Sequence, residues 1–162
     1  MDTLRELFRY HRWSTLALLD HCAALPREAL NESAPGTHGS ILATFVHLVA
    51  AEQRYLRALV GEEPQTPIQE GMEPTLADLR AQFERQADTW ESLLDRGPAW
   101  TVTIPAQRGR PETPNAETLF FLQTLHHGND HRTQIGTVLG ANGRPVADID
   151  GWAYWEAVHR GA

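Results

Sequence analysis

Four stretches of this chain carry apolar residues at the spacing of an α-helix, each bounded by proline, glycine or a capping residue, and this periodicity restricts it to helix packing. In the first, Leu4, Leu7, Phe8, Leu18, Cys22 and Leu25 recur on one side, while Arg5, Arg9, Arg12 and Asp20 fall mostly elsewhere. Thr3 is its expected cap, with Glu6 completing a capping box, and Pro26 closes it because the residue before a proline is pushed out of the helical region. A polar stretch, Leu30 to Gly39, leads to Ser40, the expected cap of a second helix that runs through Val60 and ends at Gly61. Residues 62 to 74 hold Pro64, Pro67, Gly71 and Pro74 and read as a loop. Thr75 caps the third helix, whose inward stripe is Leu76, Leu79, Phe83, Ala87, Trp90 and Leu94, up to Gly97. The fourth runs from about Asn115 through Leu119, Phe120, Leu122, Leu125, Ile135, Val138 and Leu139 to Gly140.

Between the third and fourth helices, Trp100 to Ile104 alternates as a strand does and Gly109 turns the chain back. Pro105, Pro111 and Pro114 allow only a minor hairpin or an irregular excursion. A last segment, Asp148 to Val158, carries Ile149, Trp152, Tyr154 and Trp155 and is read as a short C-terminal helix or turn, packed on the bundle or on a second subunit. The prediction is an all-α fold, one four-helix bundle domain over residues 1–162.

Composition removes several chemistries. The net charge is −7, from 14 basic and 21 acidic residues, so no general attraction to a phosphate backbone is expected and nucleic acid is not a predicted partner. Every basic residue is arginine, which excludes a Schiff-base lysine and a Walker-type phosphate loop. The one cysteine, Cys22, forms neither an internal disulfide nor a thiolate cluster, which fits a reducing cytoplasm. The N-terminus, charged from Asp2 onward, is not read as a secretory signal. The longest uncharged apolar run, Ile41 to Ala51, falls short of the roughly 20 residues that span a bilayer, so no membrane partner is expected.

Chemistry concentrates in the fourth helix, in His126-His127-Gly128-Asn129-Asp130-His131-Arg132. His127 and His131 are four apart and share one face, close enough to chelate a divalent ion. With eight histidines in the chain such a pair has two readings, metal ligands or surface and core histidines, and spacing alone does not choose. A zincin protease is rejected, because Gly128 follows His127 where that motif needs a glutamate. His47 adds weight to the metal reading. It lies within Phe45-Val46-His47-Leu48-Val49, where an imidazole without a partner faces an apolar interior at a desolvation cost. Ala43, Thr44, Ala50 and Ala51 around it are small enough to admit a neighbouring helix or an ion. Bundle sites are built from facing helices, so His47, His127 and His131 make a three-imidazole cap; the other reading of His47 is a neutral core histidine bonded to a carbonyl.

These residues resemble the DinB (damage-inducible, YfiT-like) superfamily of small helical metal-binding proteins. The resemblance lies in Tyr10-His11-Arg12-Trp13 of the first helix, Gly39 to Leu48 at the second, and the terminal His-x-x-x-His-Arg-x-Gln from His127 to Gln134. It implies an up-down-down-up bundle, often a homodimer, with nickel or zinc held by His47, His127 and His131. It also implies thiol-dependent S-transferase or isomerase chemistry for some members, with bacillithiol or mycothiol, and no assigned reaction for many others. Two positions depart from the pattern: the family commonly has asparagine where this chain has His11, and glycine where it has Thr133. His11 falls on the apolar stripe of the first helix and is left outside the metal set, as a hydrogen-bonded interior histidine or a pocket wall. Thr133 either narrows the site or faces solvent.

Three neutral imidazoles leave at least one coordination position open, the arrangement of a reactive site. There a water has its pKa lowered towards about 7, and a thiol is held as thiolate. Gln134 and Glu52 are the candidates to orient ligands or accept a proton, with an ordinary surface role as the other reading of each. Asp130 and Arg132 are read as solvated or dimer-facing. The expected function is a metal-dependent thiol S-transferase or hydrolase acting on a small electrophile, with a low-molecular-weight thiol as partner. The alternative is a non-catalytic metal-binding stress-response bundle.

Overall fold

Helix boundaries follow the capping chemistry closely. The computed structural model describes residues 2–62, 64, 66–96, 102–104, 113–115 and 117–160, and for 102–104 and 113–115 the backbone alone. Helix α1 spans Thr3–Ala23, α2 Ile41–Val60, α3 Leu76–Arg96, α4 Glu117–Ala141 and α5 Gly151–His159, with a 3-10 turn at Arg27–Asn31. Asp2, not Thr3, caps α1: its carboxylate accepts from the backbone N–H of Leu4 and Arg5. Aspartate one residue earlier satisfies the free amides and also places negative charge at the helix N-terminus. Ser40 accepts from Ala43 N, and Gly61, at φ 75°, takes the left-handed turn that ends α2. Thr75 and Asp78 cap α3 reciprocally: Thr75 Oγ1 accepts from Asp78 N at 3.1 Å and Asp78 Oδ2 from Thr75 N at 3.0 Å.

The contacts between helices fix the winding. Arg5 reaches Glu91 and Asp95 while Arg80 reaches Asp20, so α1 and α3 are antiparallel. Tyr55 meets Phe120 while His47 meets His127, so α2 and α4 are antiparallel too. Phe8 packs on Phe121 and Thr15 bonds Arg132, which makes α1 and α4 parallel. Those directions give the up-down-down-up bundle implied by the resemblance. In cross-section α1 and α2 each adjoin α3 and α4 and face each other across a diagonal.

Two apolar clusters fill the bundle, one around Leu18, Phe45, Leu79, Phe83, Ile135 and Leu139, the other around Phe8, Leu56, Trp90 and Phe121. A polar layer of His11, Glu52, Gln86 and Arg132 separates them, each buried. Leu7, Leu119 and Leu122, expected inside, are exposed. The inward face of α4 runs through Phe121, Thr124, Gly128, His131, Ile135 and Val138. Counting leucines alone rotates that face, because Thr124 and Gly128 occupy interior positions without looking apolar.

The expected hairpin is present as β1 (Val102–Ile104) paired antiparallel with β2 (Thr113–Asn115), Thr103 opposite Pro114. Trp100, Pro105, Gly109 and Pro111 lie outside the described residues, as does Gly97. Helix α5 begins at Asp150, whose carboxylate caps Trp152 and Ala153. Tyr154 fixes α5 to α1 by packing on Tyr10 and Trp13, and Tyr10 Oη donates to the carbonyl of Ile149 at 2.9 Å. Among the described residues no helix is long and apolar enough to cross a membrane.

Candidate metal centre

Because α2 and α4 are antiparallel neighbours, His47 lies opposite the single turn of α4 that carries His127 and His131. The Nε2 atoms converge: His127 Nε2 is 3.1 Å from His47 Nε2 and 3.1 Å from His131 Nε2. All three donor atoms lie within 4.8 Å of one another. Two nitrogens bound at the usual 2.0–2.1 Å are about 2.9 Å apart at a right angle and about 3.3 Å apart at a tetrahedral one. The two spacings from His127 lie between those values, and with all three donors within 4.8 Å of one another the set could hold one divalent ion.

Protons are placed for this. His47 Nδ1 donates to Glu70 Oε1 at 3.2 Å, which leaves the lone pair on Nε2. On α4, Gln134 Oε1 accepts from the backbone N–H of His38 at 2.8 Å. A backbone amide only donates, so that atom is the oxygen, and His131 Nδ1, 3.2 Å away, must donate to it. His131 Nε2 is thereby also a lone-pair donor to the site. His127 Nδ1 is buried and has no hydrogen-bond partner among the described residues.

Electrostatics favours the neutral rings. Burial lowers the His47 pKa, and His38 and His131 add repulsion. His127 is lowered to about 4 by burial first and then by His131, His47 and Arg54. His131 is lowered chiefly by burial, against the raising effect of its bond to Gln134. At neutral pH three uncharged imidazoles therefore face one point, as metal ligation requires.

Of the residues singled out from the sequence, His47, His127 and His131 meet, and Gln134 joins them. Glu52 does not: its Oε1 lies 2.9 Å from His11 Nε2, on the bundle diagonal. His11 is the hydrogen-bonded interior histidine. Thr133 faces solvent, its hydroxyl on the carbonyl of Asn129. Asp130 is exposed beside His126, as expected. Arg132, expected at a solvated or dimer face, is 3% exposed. Its guanidinium donates to His11 Nδ1 at 2.9 Å and Thr15 Oγ1 at 3.0 Å and lies over the ring of Tyr10, which pulls it into the polar layer.

Two site residues were missed. Glu70 sits in the proline-rich loop, where Gln53 holds the backbone of Ile68 through both its N–H and its carbonyl, at 3.0 and 2.7 Å. His38, in the loop before α2, stacks on His47 with centroids 4.0 Å apart and presents its ring edge-on to His131 at 5.3 Å. Neither loop has a helical period, so no sequence signal points to them; only chain closure brings them to the imidazoles.

A search of curated proteins found no match to this chain. Among solved structures, a DinB-like protein from Bacillus cereus superposes with a TM-score of 0.69 at 19% identity, over 91% of this chain and 96% of that one. At that identity the likeness speaks for the fold. The model of the DinB family matches residues 1–161. A helical bundle of this winding, a three-histidine group drawn from α2 and α4, and a family match of that extent lead to one conclusion: the chain belongs to the DinB family.

Proposed function

We propose that His47, His127 and His131 hold a divalent transition metal, nickel or zinc, through their Nε2 atoms, and that the protein is a thiol-dependent S-transferase or hydrolase acting on a small electrophile. The observation that carries this reading is the convergence of three Nε2 atoms, two of them with lone pairs directed by hydrogen bonds at the opposite ring nitrogen. A bound ion supplies Lewis acidity, lowering the pKa of a water or thiol placed beside the imidazoles.

The chain's own residues prepare that position. Glu70 and Gln134 hold the Nδ1 protons of His47 and His131, which fixes ring orientation and raises the basicity of the opposite nitrogen. Cys22 is buried and its thiol is pushed up to about 12 by burial, so a sulfur nucleophile must come from solution rather than from the protein. In S-transfer the thiol sulfur forms the bond to carbon, the leaving group departs with the bonding pair, and the thiol proton passes to solvent. In hydrolysis water takes the place of the thiol. The same reading sets the protein in the reducing cytoplasm, as a homodimer.

The test is consumption of electrophiles by metal-loaded and chelator-treated protein against a panel of low-molecular-weight thiols. Turnover that needs the metal and is lost in His47→Ala supports the enzyme. Stoichiometric metal with no turnover, in the presence or absence of thiol, would instead support a non-catalytic bundle in which the ion joins α2 to α4.

A further inference from the structure

The side of α4 turned away from the imidazoles borders a second cavity. Asn129 and Thr133 each follow a ligand histidine by two residues, about 200° around the helix, which sets them on the opposite side. There the segment at residues 145–150 lies over α4, with Val146 close to Gly136 and Gly140. Helix α1 holds this strap at both ends: His21 Nε2 donates to the carbonyl of Pro145 at 2.9 Å, and Tyr10 Oη to that of Ile149 at 2.9 Å. Beneath it is a cavity of about 510 Å³ whose walls include Tyr10, Leu18, Arg132, Gly136, Val146 and Ile149, within the size range of small-molecule sites.

Arg132 gives this cavity its chemistry. Its Nη1 is engaged by His11 Nδ1 and Thr15 Oγ1, and the guanidinium lies over the ring of Tyr10. Its Nε is buried and has no hydrogen-bond partner among the described residues. No carboxylate among those residues forms an ion pair with it; Glu52 reaches it only through the imidazole of His11. A buried cation is ordinarily paired, because withdrawing an isolated charge from water is costly.

We propose that the cavity under the strap binds a monocarboxylate with an apolar body, its carboxylate seated on the guanidinium of Arg132. The planar fork of a guanidinium matches a carboxylate, and Leu18, Val146, Ile149 and the ring of Tyr10 offer carbon surface to the rest of the ligand. Two acids stand at the rim: Asp148, which is exposed, and Asp150, whose Oδ1 already accepts from the backbone of Trp152 and Ala153. Their charge disfavours a dianion such as phosphate and leaves one negative charge as the match for one cation. The inference is separate from the metal centre and does not depend on it.

The experiment is calorimetric titration of zinc-loaded protein with octanoate and with its neutral analogue octanamide. Octanoate is expected to bind about tenfold more tightly than octanamide, in keeping with one charge-assisted contact, and inorganic phosphate is expected not to compete. A Cβ at Gly136 would meet Val146 Cγ1 at 3.6 Å, an ordinary contact, so Gly136→Leu fills the cavity while leaving Arg132 in place. That variant is expected to weaken both probes at least about tenfold with zinc binding unchanged. Arg132→Gln should bring the two probes to equal affinity; if it does not fold, the comparison of probes and Gly136→Leu decide the matter without it. Equal binding of octanoate and octanamide by the unaltered protein would overturn the proposal. Octanoate affinity undiminished in Gly136→Leu would overturn it too, since the carboxylate would then bind elsewhere, at the zinc for example, and so would competition by phosphate.

Discussion

His11 Nε2 lies 2.9 Å from Glu52 Oε1, joining α1 to α2 across the diagonal of the bundle with both side chains buried. The guanidinium of Arg132 only donates, so His11 accepts from it at Nδ1 and donates to Glu52 from Nε2. One imidazole thus links a buried cation to a buried carboxylate. His11→Ala leaves Glu52 Oε1 without that donor, and truncating one partner of such a pair is expected to cost about 3 kcal/mol in urea denaturation. His11→Asn, whose amide again offers one acceptor and one donor, is expected to lose markedly less. Equal losses for the two variants would contradict the relay.

Gly128 is required by the same ring. A Cβ at this position would lie 2.4 Å from His11 Cε1, 2.7 Å from His11 Nδ1 and 3.0 Å from Arg132 Nη1. The ring is held on both sides by Glu52 and Arg132 and has no room to retreat. Gly128→Ala is therefore expected to destabilise by about 1–3 kcal/mol, although helix propensity alone favours alanine by about 1 kcal/mol. In a His11→Ala background the clash is removed and the substitution should become neutral or stabilising. Additive losses in the double-mutant cycle would refute the contact.

Gln134 sets the tautomer of His131 while accepting from the amide of His38. Gln134→Ala is expected to weaken zinc binding by about 10- to 100-fold in competition with a chelator, the usual effect of removing a residue that orients a metal-bound histidine. Gln134→Glu keeps an acceptor for both donors and should retain most of the affinity. A weakening as large as that of the alanine variant would show that the amide has another role.

Lowered histidine pKa values make the metal-free protein sensitive to acid. Ordinary histidines in the unfolded chain bind protons as pH falls through about 6.5, whereas folded His127 resists until about 4, and folded His47 and His131 also lie below the ordinary value. In that window the unfolded state carries more protons, so stability of the chelated protein rises with pH and falls as pH drops from 6.5 towards 4. Urea midpoints of chelated protein across this range measure it. His127→Gln should flatten the slope, and an unchanged slope would contradict the assigned shift.

The bundle was legible because its helices are amphipathic and cleanly capped, as Ser40, Gly61 and Thr75 illustrate. The three imidazoles were legible for a related reason: His127 and His131 share a face by spacing alone, and His47 stands out against its apolar neighbours. What surrounds them was not. Asp2 displaced Thr3 as a cap through a contact one residue outside the periodic pattern. Arg132 looks solvent-bound by charge, and only the cross-bundle position of His11 and Thr15 explains its burial. Glu70 and His38 reach the site through loop closure, whose geometry depends on distant anchors such as Gln53 and Gln134.

The most direct measurement is titration of chelated protein with zinc by calorimetry, alongside His47→Ala, His127→Ala, His131→Ala and, as a control, the exposed His126→Ala. One ion per chain is expected for the unaltered protein and for His126→Ala, with binding lost or weakened by several orders of magnitude in the other three. Zinc bound with undiminished affinity by His47→Ala would contradict a centre shared between α2 and α4.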